Sequence, residues 1–312
     1  MNKYLSRPSI ALAIAATLLL TSCSETININ STTSNSEQLM AQPMAVNIGS
    51  LDDLNALFDK LQYSEETWNK AGNSIPRITF KSLSDNWAKN SNELPVETKK
   101  STFFRLMTPL ILISNENILR DRETVKSSAL DSQELIDIAV KYKVISDAKT
   151  TITEEKRQTL LTRVDILPPS LALAQTTEES GWGTSRFASE GNAFFGQWDF
   201  SGNGMKPLQQ RQELGNYGVA RFDSPLASVE AYMLNLNTNK AYNKLRILRT
   251  EMHADNSAIT GYELAGTLGR YSERGDDYIK GLRQIISFNK LEPIDEMQLS
   301  NNKLIHLISE VQ

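Results

Sequence analysis

From residue 50 onward the apolar positions recur at helical spacing. Leu51, Leu54, Leu57, Phe58 and Leu61 keep to the three-and-four rhythm of an amphipathic helix, and Ser50 stands where an N-cap belongs. Pro76 and Pro95 interrupt the pattern beyond this helix. Residues 103–113 are apolar enough to suggest a membrane, but the run is short and interrupted by Arg105 and Pro109, which predicts a buried core helix instead. Charged, helix-favouring segments at 115–126, 132–143 and 153–163 predict three more helices, so the first half reads as helical. After Pro225 a stripe of Val229, Tyr232, Met233 and Leu236, continued by Leu264, Leu268 and Tyr271, predicts further core helices. Residues 305–308 predict a short surface helix. Between the two helical halves, 194–200 and 217–222 are rich in β-formers, with Gly202-Asn203-Gly204 as turn chemistry, and predict a small sheet. The pattern is α+β and predominantly α-helical.

The chain has 312 residues, with 33 Lys+Arg against 37 Asp+Glu and a net charge of -4, which gives no global electrostatic reason to bind nucleic acid. Its two histidines, His253 and His306, are far apart and neither sits in a short metal-ligand spacing, so no metal or other cofactor is expected. The single cysteine, Cys23, comes after Lys3, Arg7, an apolar run over 10–20 and Leu20-Thr21-Ser22. This arrangement resembles a secretory signal ending in a bacterial lipobox, too short to span a bilayer. It implies removal of residues 1–22 and lipid attachment at Cys23, a membrane anchor made stable by several acyl chains. Ser24 stands next to Cys23 with no Asp, which by resemblance to enterobacterial sorting rules implies the outer membrane, facing the periplasm. A mature chain of this kind has no free thiol, leaving oxygen nucleophiles and carboxylates to carry any catalysis. The Ser-, Thr- and Asn-rich segment up to 43 reads as a flexible tether.

Residues 167–185 concentrate the chemistry. Pro168, Pro169 and Ser170 predict a helix start, and Gly181 and Gly183 predict its end. Glu179 then falls in the last turn. The negative end of the helix dipole, Glu178 beside it and Trp182 three positions on all favour the protonated acid, provided the site is partly buried. A carboxylic acid kept neutral near pH 7 is what protonation of a glycosidic oxygen requires, and such help is worth roughly 10²–10⁴ in rate. A Glu at a helix end is more often solvated, and local physics leaves both readings open.

Gln175 through Gly183, with Asn192-Ala193-Phe194-Phe195-Gly196-Gln197-Trp198 after it, resembles the glucosaminidase family of peptidoglycan hydrolases. That family's pattern is an Ala-Gln-x-x-x-Glu-Ser-x-Trp-Gly helix and an Asn-x-Phe-Gly turn. Within it the likeness is to the bacterial Bax subgroup, unrelated to the apoptosis protein of that name, and it runs from about residue 94 to 289. The resemblance implies a lysozyme-like glucosaminidase domain with a small β-lobe that cleaves the glycan strands of peptidoglycan, with Glu179 as the catalytic acid. Glu178 is the alternative by local physics, but only Glu179 directly precedes Ser180-Gly181-Trp182-Gly183.

Glycosidases commonly pair the acid with a second carboxylate, about 5 Å away for retention and about 6.5–9.5 Å for inversion. Glu213 is the candidate, with Asp199 behind it; the substrate's own N-acetyl group is the alternative that needs only one Glu. Trp182, Phe195 and Trp198 are candidates to stack on sugar faces, with core packing as the competing reading, and Gln197 lies among them. Tyr271-Ser272 through Tyr278 is similar to the family's Tyr-Ala-x-x-x-x-Tyr signature, with Ser272 for Ala and one extra residue before Tyr278. The resemblance therefore implies that Tyr271 lines the active site and makes Tyr278 a further candidate. The organisation expected is a signal at 1–22, lipidated Cys23 and tether at 23–43, a helical region at 44–150, a glucosaminidase domain at 151–290 and an extension at 291–312. The activity expected is hydrolysis of β-1,4 bonds next to N-acetylglucosamine by a monomeric, envelope-anchored enzyme. The alternatives are a lytic transglycosylase on the same glycan, a non-catalytic peptidoglycan-binding lipoprotein, and action on another N-acetylhexosamine polymer such as chitin.

Overall fold

In the computed structural model, which describes residues 42–208 and 217–309, the chain opens with strand β1 (Met44–Ile48) and helix α1 (Leu51–Lys60). Ser50 caps α1 as its spacing predicts: its Oγ accepts the Asp53 N–H at 3.1 Å, and Leu54 and Phe58 turn inward. Strands β2 (Ser74–Ile75) and β3 (Ile78–Phe80) and the short α2 (Asp85–Asn90) lead to α3 (Val96–Ser127). The segment with Cys23 that the sequence reads as an anchor and the candidate Glu213 lie outside the described residues.

Every residue of α3 from Ser101 to Leu112 is buried, so this stretch of the helix is enclosed on all sides by other described elements. The two segments that the sequence separates at 113–115 are one helix of 32 residues that runs through Pro109. An interior proline costs about 3 kcal/mol or more, and burial around the whole circumference offsets it. Arg105 is tolerated in this core because its Nη2 donates to Asn55 Oδ1 at 3.1 Å, its Nε to the Ser101 carbonyl, and its guanidinium lies over the Phe58 ring. No described helix is long and apolar enough to cross a membrane.

Helices α4 (Gln133–Lys141) and α5 (Glu154–Arg163) start at the Ser132 and Thr153 caps and pack on α3. Next come α6 (Pro169–Ser180), α7 (Arg186–Gly191), strands β4 (Trp198–Asp199) and β5 (Gly218–Val219), and α8 (Pro225–Thr238). The chain continues with α9 (Asn243–Ala254), α10 (Gly261–Ala265), α11 (Asp276–Phe288), β6 (Gln298–Leu299) and β7 (Ile305–Ser309). Val229, Tyr232, Met233 and Leu236 of α8 are all fully buried, as their stripe predicts.

Residues 305–308 are not the surface helix that local reading suggests. They lie in β7, the central strand of a parallel sheet ordered β1-β7-β3, in which Ile305 pairs with both Met44 and Ile78. Ile305 and Leu307 are buried and His306 is half-buried, a period of two that four residues are too few to reveal. The helical reading of the first half likewise omits β1 to β3, whose partners come from the other end of the chain.

The small sheet between the helical halves is present. Trp198 and Asp199 of β4 pair antiparallel with Val219 and Gly218 of β5, and Met205 bridges Val219. A Cβ built on Gly218 would stand 2.7 Å from the Gly204 carbonyl carbon, so both glycines are needed for this close approach. Ala193, Met205 and Val219 form the lobe's own small core.

Candidate functional site

The site is built on α6, and both ends of that helix are tied down. At its start, the Asp295 carboxylate accepts the Ser170 N–H at 2.8 Å, the Ser170 hydroxyl at 2.7 Å and the Gly261 N–H at 2.9 Å, joining α6 to α10. Burial pushes the Asp295 carboxyl up to about 6, against those three hydrogen bonds, which pull the other way. From Pro169 to Thr177 every residue of α6 is buried. At its end Gly181 takes the left-handed conformation, φ +57°, and Trp182 comes next at φ +62°. Ser180 buttresses this turn by donating to the Thr176 carbonyl and accepting the Gly183 N–H at 2.9 Å. A Cβ on Gly183 would stand 2.6 Å from Leu83 Cδ1, which leaves no room for a larger residue.

Glu179, in the last turn, is half-buried. Its Oε1 accepts the Tyr278 hydroxyl at 2.8 Å. The Tyr278 oxygen in turn accepts Gln175 Nε2 at 3.0 Å, and Gln175 Oε1 accepts the Tyr232 hydroxyl at 2.6 Å. Tyr232 is fully buried, so the chain of donors runs one way, from the core to Glu179. With Oε1 occupied as an acceptor, Oε2 is the oxygen left to hold a proton. It faces Gly196, where an added Cβ would come to 3.4 Å from Oε2; Gly196, at φ +60°, keeps that approach open.

Burial raises the Glu179 carboxyl above the ordinary range; the Tyr278 bond opposes this, Glu178 adds to it, and Arg274 again opposes it. Glu178 itself is ion-paired to Arg274, whose guanidinium also lies over the Tyr278 ring. Burial is thus the leading cause, ahead of the neighbouring charge emphasised by the local sequence.

The turn 192–196 delivers Gly196 to this place. Asn192, in the left-handed region, donates from Nδ2 to the carbonyls of Lys81 and Phe222. Phe194 is fully buried, and its N–H reaches Ser228 Oγ at 3.2 Å. The Phe195 ring lies flat on Tyr232 at 3.9 Å. Tyr271 donates to the Phe195 carbonyl at 3.0 Å and stacks parallel to Tyr278 at 5.5 Å. Burial lifts the Tyr271 and Tyr278 phenols above their usual range, so both stay neutral.

Tyr278, Tyr271 and Phe195 of the sequence candidates therefore gather around Glu179, the first directly and the others through Tyr278 and Gly196. Trp182 is not the same-face neighbour of Glu179 that helical spacing implies. The helix has ended before it, and its ring packs edge-on against Phe103 and Phe104 of α3. Trp198 is half exposed on β4 and stacks on Tyr217 at 4.8 Å, with exposed Phe200 beside it. Gln197 gives its carbonyl to the Ala220 N–H. Asp199 accepts the Ser201 N–H and hydroxyl, which hold its carboxyl below the usual range. Gln175, Tyr232 and Gly196 had no role assigned from sequence. Gln175 stands four residues before Glu179, one turn away on the same face, which is a readable signal; Tyr232 hides in a stripe that looks like core.

Residues 155–291 match the model of the glucosaminidase family, described as mannosyl-glycoprotein endo-beta-N-acetylglucosaminidase. Over these residues the chain is similar to the glucosaminidase family. The match takes in α6, the β-lobe, α8 and the Tyr271–Tyr278 segment, whereas α3 and β1, β3 and β7 lie outside it. The chain is also similar to the protein Bax of Escherichia coli (strain K12), 32% identical over 187 residues, which are 58% of this chain and 66% of that protein. It spans just under two thirds of that relative's length. No solved structure matches. The described fold, α+β and predominantly helical with a small β-lobe, is consistent with a lysozyme-like, Bax-like glucosaminidase domain.

Proposed function

We propose that the chain hydrolyses β-1,4 glycosidic bonds next to N-acetylglucosamine in peptidoglycan, with Glu179 as the general acid. The observation that carries this reading is the division of labour within one carboxyl: Oε1 is held by Tyr278 while Oε2, beside Gly196, is left to carry the proton. Burial keeps that proton in place at higher pH than an ordinary glutamic acid would. In the reaction Oε2 gives the proton to the glycosidic oxygen, the bond to the anomeric carbon breaks, and one sugar leaves as an alcohol. The carboxylate that results keeps its hydrogen bond from Tyr278 and next removes a proton from the attacking water.

Among the described residues no second carboxylate stands free beside Glu179: Glu178 is paired with Arg274, and Asp199 closes its own turn. This supports a scheme in which the substrate's N-acetyl oxygen bonds the anomeric carbon as the leaving group departs, and water then opens that ring with net retention. Glu213 remains the candidate for a second acid. The same single carboxyl supports the lytic transglycosylase reading, in which the sugar's own hydroxyl takes the place of water. Trp198 with Tyr217 offers a flat, half-exposed face for a sugar ring. The same proposal places the enzyme in the cell envelope, as a monomer held by lipid on Cys23 at the outer membrane with the tether giving it reach.

Mass analysis of fragments released from purified sacculi tests the reading. Reducing N-acetylglucosamine ends that are lost in Glu179→Gln are the result expected. Products lighter by one water mean transglycosylation, release from chitin alone redirects the substrate, and binding to sacculi with no release by either protein ends the enzyme claim.

A further inference from the structure

Glu179 and its hydrogen-bond donor both sit at helix ends. Glu179 is the next-to-last residue of α6, and Tyr278 is the third residue of α11. Helix ends fray, and α11 begins at Gly275, φ +53°, with no side chain capping it. Residues 266–275, which lead into it, contain no helix or strand. What fixes this opening turn therefore decides how well the Tyr278 hydroxyl keeps its place 2.8 Å from Glu179 Oε1.

From within the core, Gln175 Nε2 holds the Tyr278 oxygen at 3.0 Å. From the solvent side the hold is Arg274. It directly precedes Gly275, and its half-exposed guanidinium pairs with the Glu178 carboxylate of α6 while lying 5.4 Å from the centre of the Tyr278 ring. The pair thus joins the residue before Glu179 to the residue before the start of α11. An exposed pair adds little to global stability, because water and salt screen it. A planar guanidinium, however, can grip a carboxylate and lie on an aromatic ring at once, which a compact ammonium does less well. Of the titratable groups around Glu179, Tyr232 of α8, Tyr242 beyond it, Tyr271 and Tyr278 are kept neutral by burial, which leaves Glu178 and Arg274 as the charges acting on it.

We propose that Arg274 is a positioning residue: by gripping Glu178 and lying over Tyr278 it clamps the start of α11 to the end of α6 and keeps the Tyr278 hydroxyl aimed at Glu179 Oε1. This rests on the reading of Glu179 as the general acid. Arg274 acts through the Tyr278 hydroxyl, so a protein without that hydroxyl leaves the clamp little to position.

Kinetics of the full chain on soluble peptidoglycan oligomers, in a cycle of Arg274→Gln, Tyr278→Phe and the double variant, test this. Arg274→Gln should lower kcat by about 3- to 10-fold, with KM changed by less than about 2-fold and the thermal midpoint close to the parent's. The alkaline limb of the profile should move to higher pH, because a loosened Tyr278 and a missing cation both favour the protonated acid. Added to Tyr278→Phe, the same substitution should cost less than about 2-fold in kcat, since the two residues act as one unit. An unchanged kcat and limb, or an equal loss in both backgrounds, would overturn the proposal. If the parent cleaves nothing, the proposed function has failed on its own account, and the carboxyl carbon NMR resonance of Glu179 carries the same cycle. Its titration midpoint should rise on Arg274→Gln by more in the parent than in the Tyr278→Phe background, and equal rises would refute the clamp.

Discussion

Tyr278 donates its phenolic proton to Glu179 Oε1 across 2.8 Å while its own oxygen is held by Gln175 Nε2. The phenol is therefore fixed as a donor toward the carboxyl. A hydrogen bond of this kind favours the ionised carboxylate, whereas burial favours the acid, and the net position of Glu179 is the balance of the two, with burial ahead.

Replacing Tyr278 by Phe removes the hydrogen bond that lowers the Glu179 pKa. With Glu179 as the proposed general acid, its protonated form is the active one, so activity should fall as pH rises through its pKa, and the alkaline limb of the kcat/KM profile should move to higher pH in Tyr278→Phe. The rate at the optimum should fall by about tenfold or more, since the carboxyl loses the contact that orients it. A limb that stays in place or moves down counts against the assignment.

Gln175→Met keeps the volume of the side chain but strips both partners from the relay. The Tyr232 hydroxyl, fully buried, then has no acceptor. A loss of about 1–3 kcal/mol in stability is expected, read as a lower urea midpoint with unchanged m-value. Tyr278 keeps its bond to Glu179 but loses the donor that sets its direction, so kcat should fall more than KM rises.

Asp295 gives a stability signature. Its folded-state pKa, about 6, lies above its ordinary value of 3.8, so the folded protein binds the proton more tightly than the unfolded chain. Between these values the folded state loses stability as pH rises, by about 2 kcal/mol from pH 4.5 to pH 7 for this group alone. Asp295→Asn should be less stable overall, through disturbed bonds to Ser170 and Gly261, and the change between those two pH values, measured by urea unfolding, should shift by that amount. Unfolding curves of the two proteins with the same pH dependence would refute the linkage.

Trp198 is half exposed and belongs to neither hydrophobic core cluster, resting instead on Tyr217 at 4.8 Å. Trp198→Ala should leave the melting temperature nearly unchanged. If the ring carries a sugar, KM for soluble glycan oligomers should rise by about 3- to 10-fold, the worth of one aromatic stacking contact, with kcat little altered. An unaltered KM would remove Trp198 from the binding surface.

Where a feature depends on residues close together in the chain, it was legible in the sequence. The α1 cap at Ser50, the buried run in α3, the span of α6 with Glu179 in its last turn, and the β4–β5 lobe all come from periodicity, proline and glycine placement. The family pattern from Gln175 to Trp198 is legible for the same reason. The strand nature of 305–309, the packing of the Trp182 ring against Phe103 and Phe104 and the Asp295 tie to Ser170 were not, because each depends on groups that come together only when distant segments pack. The raised proton affinity of Glu179 belongs to both: the sequence by itself put a carboxyl at a helix end, and the tertiary structure decided how strongly its proton is held. Desolvation and the Tyr232–Gln175–Tyr278 relay come from α6, α8 and α11 folded against one another, and a carboxyl's affinity for its proton is set by what surrounds it in space.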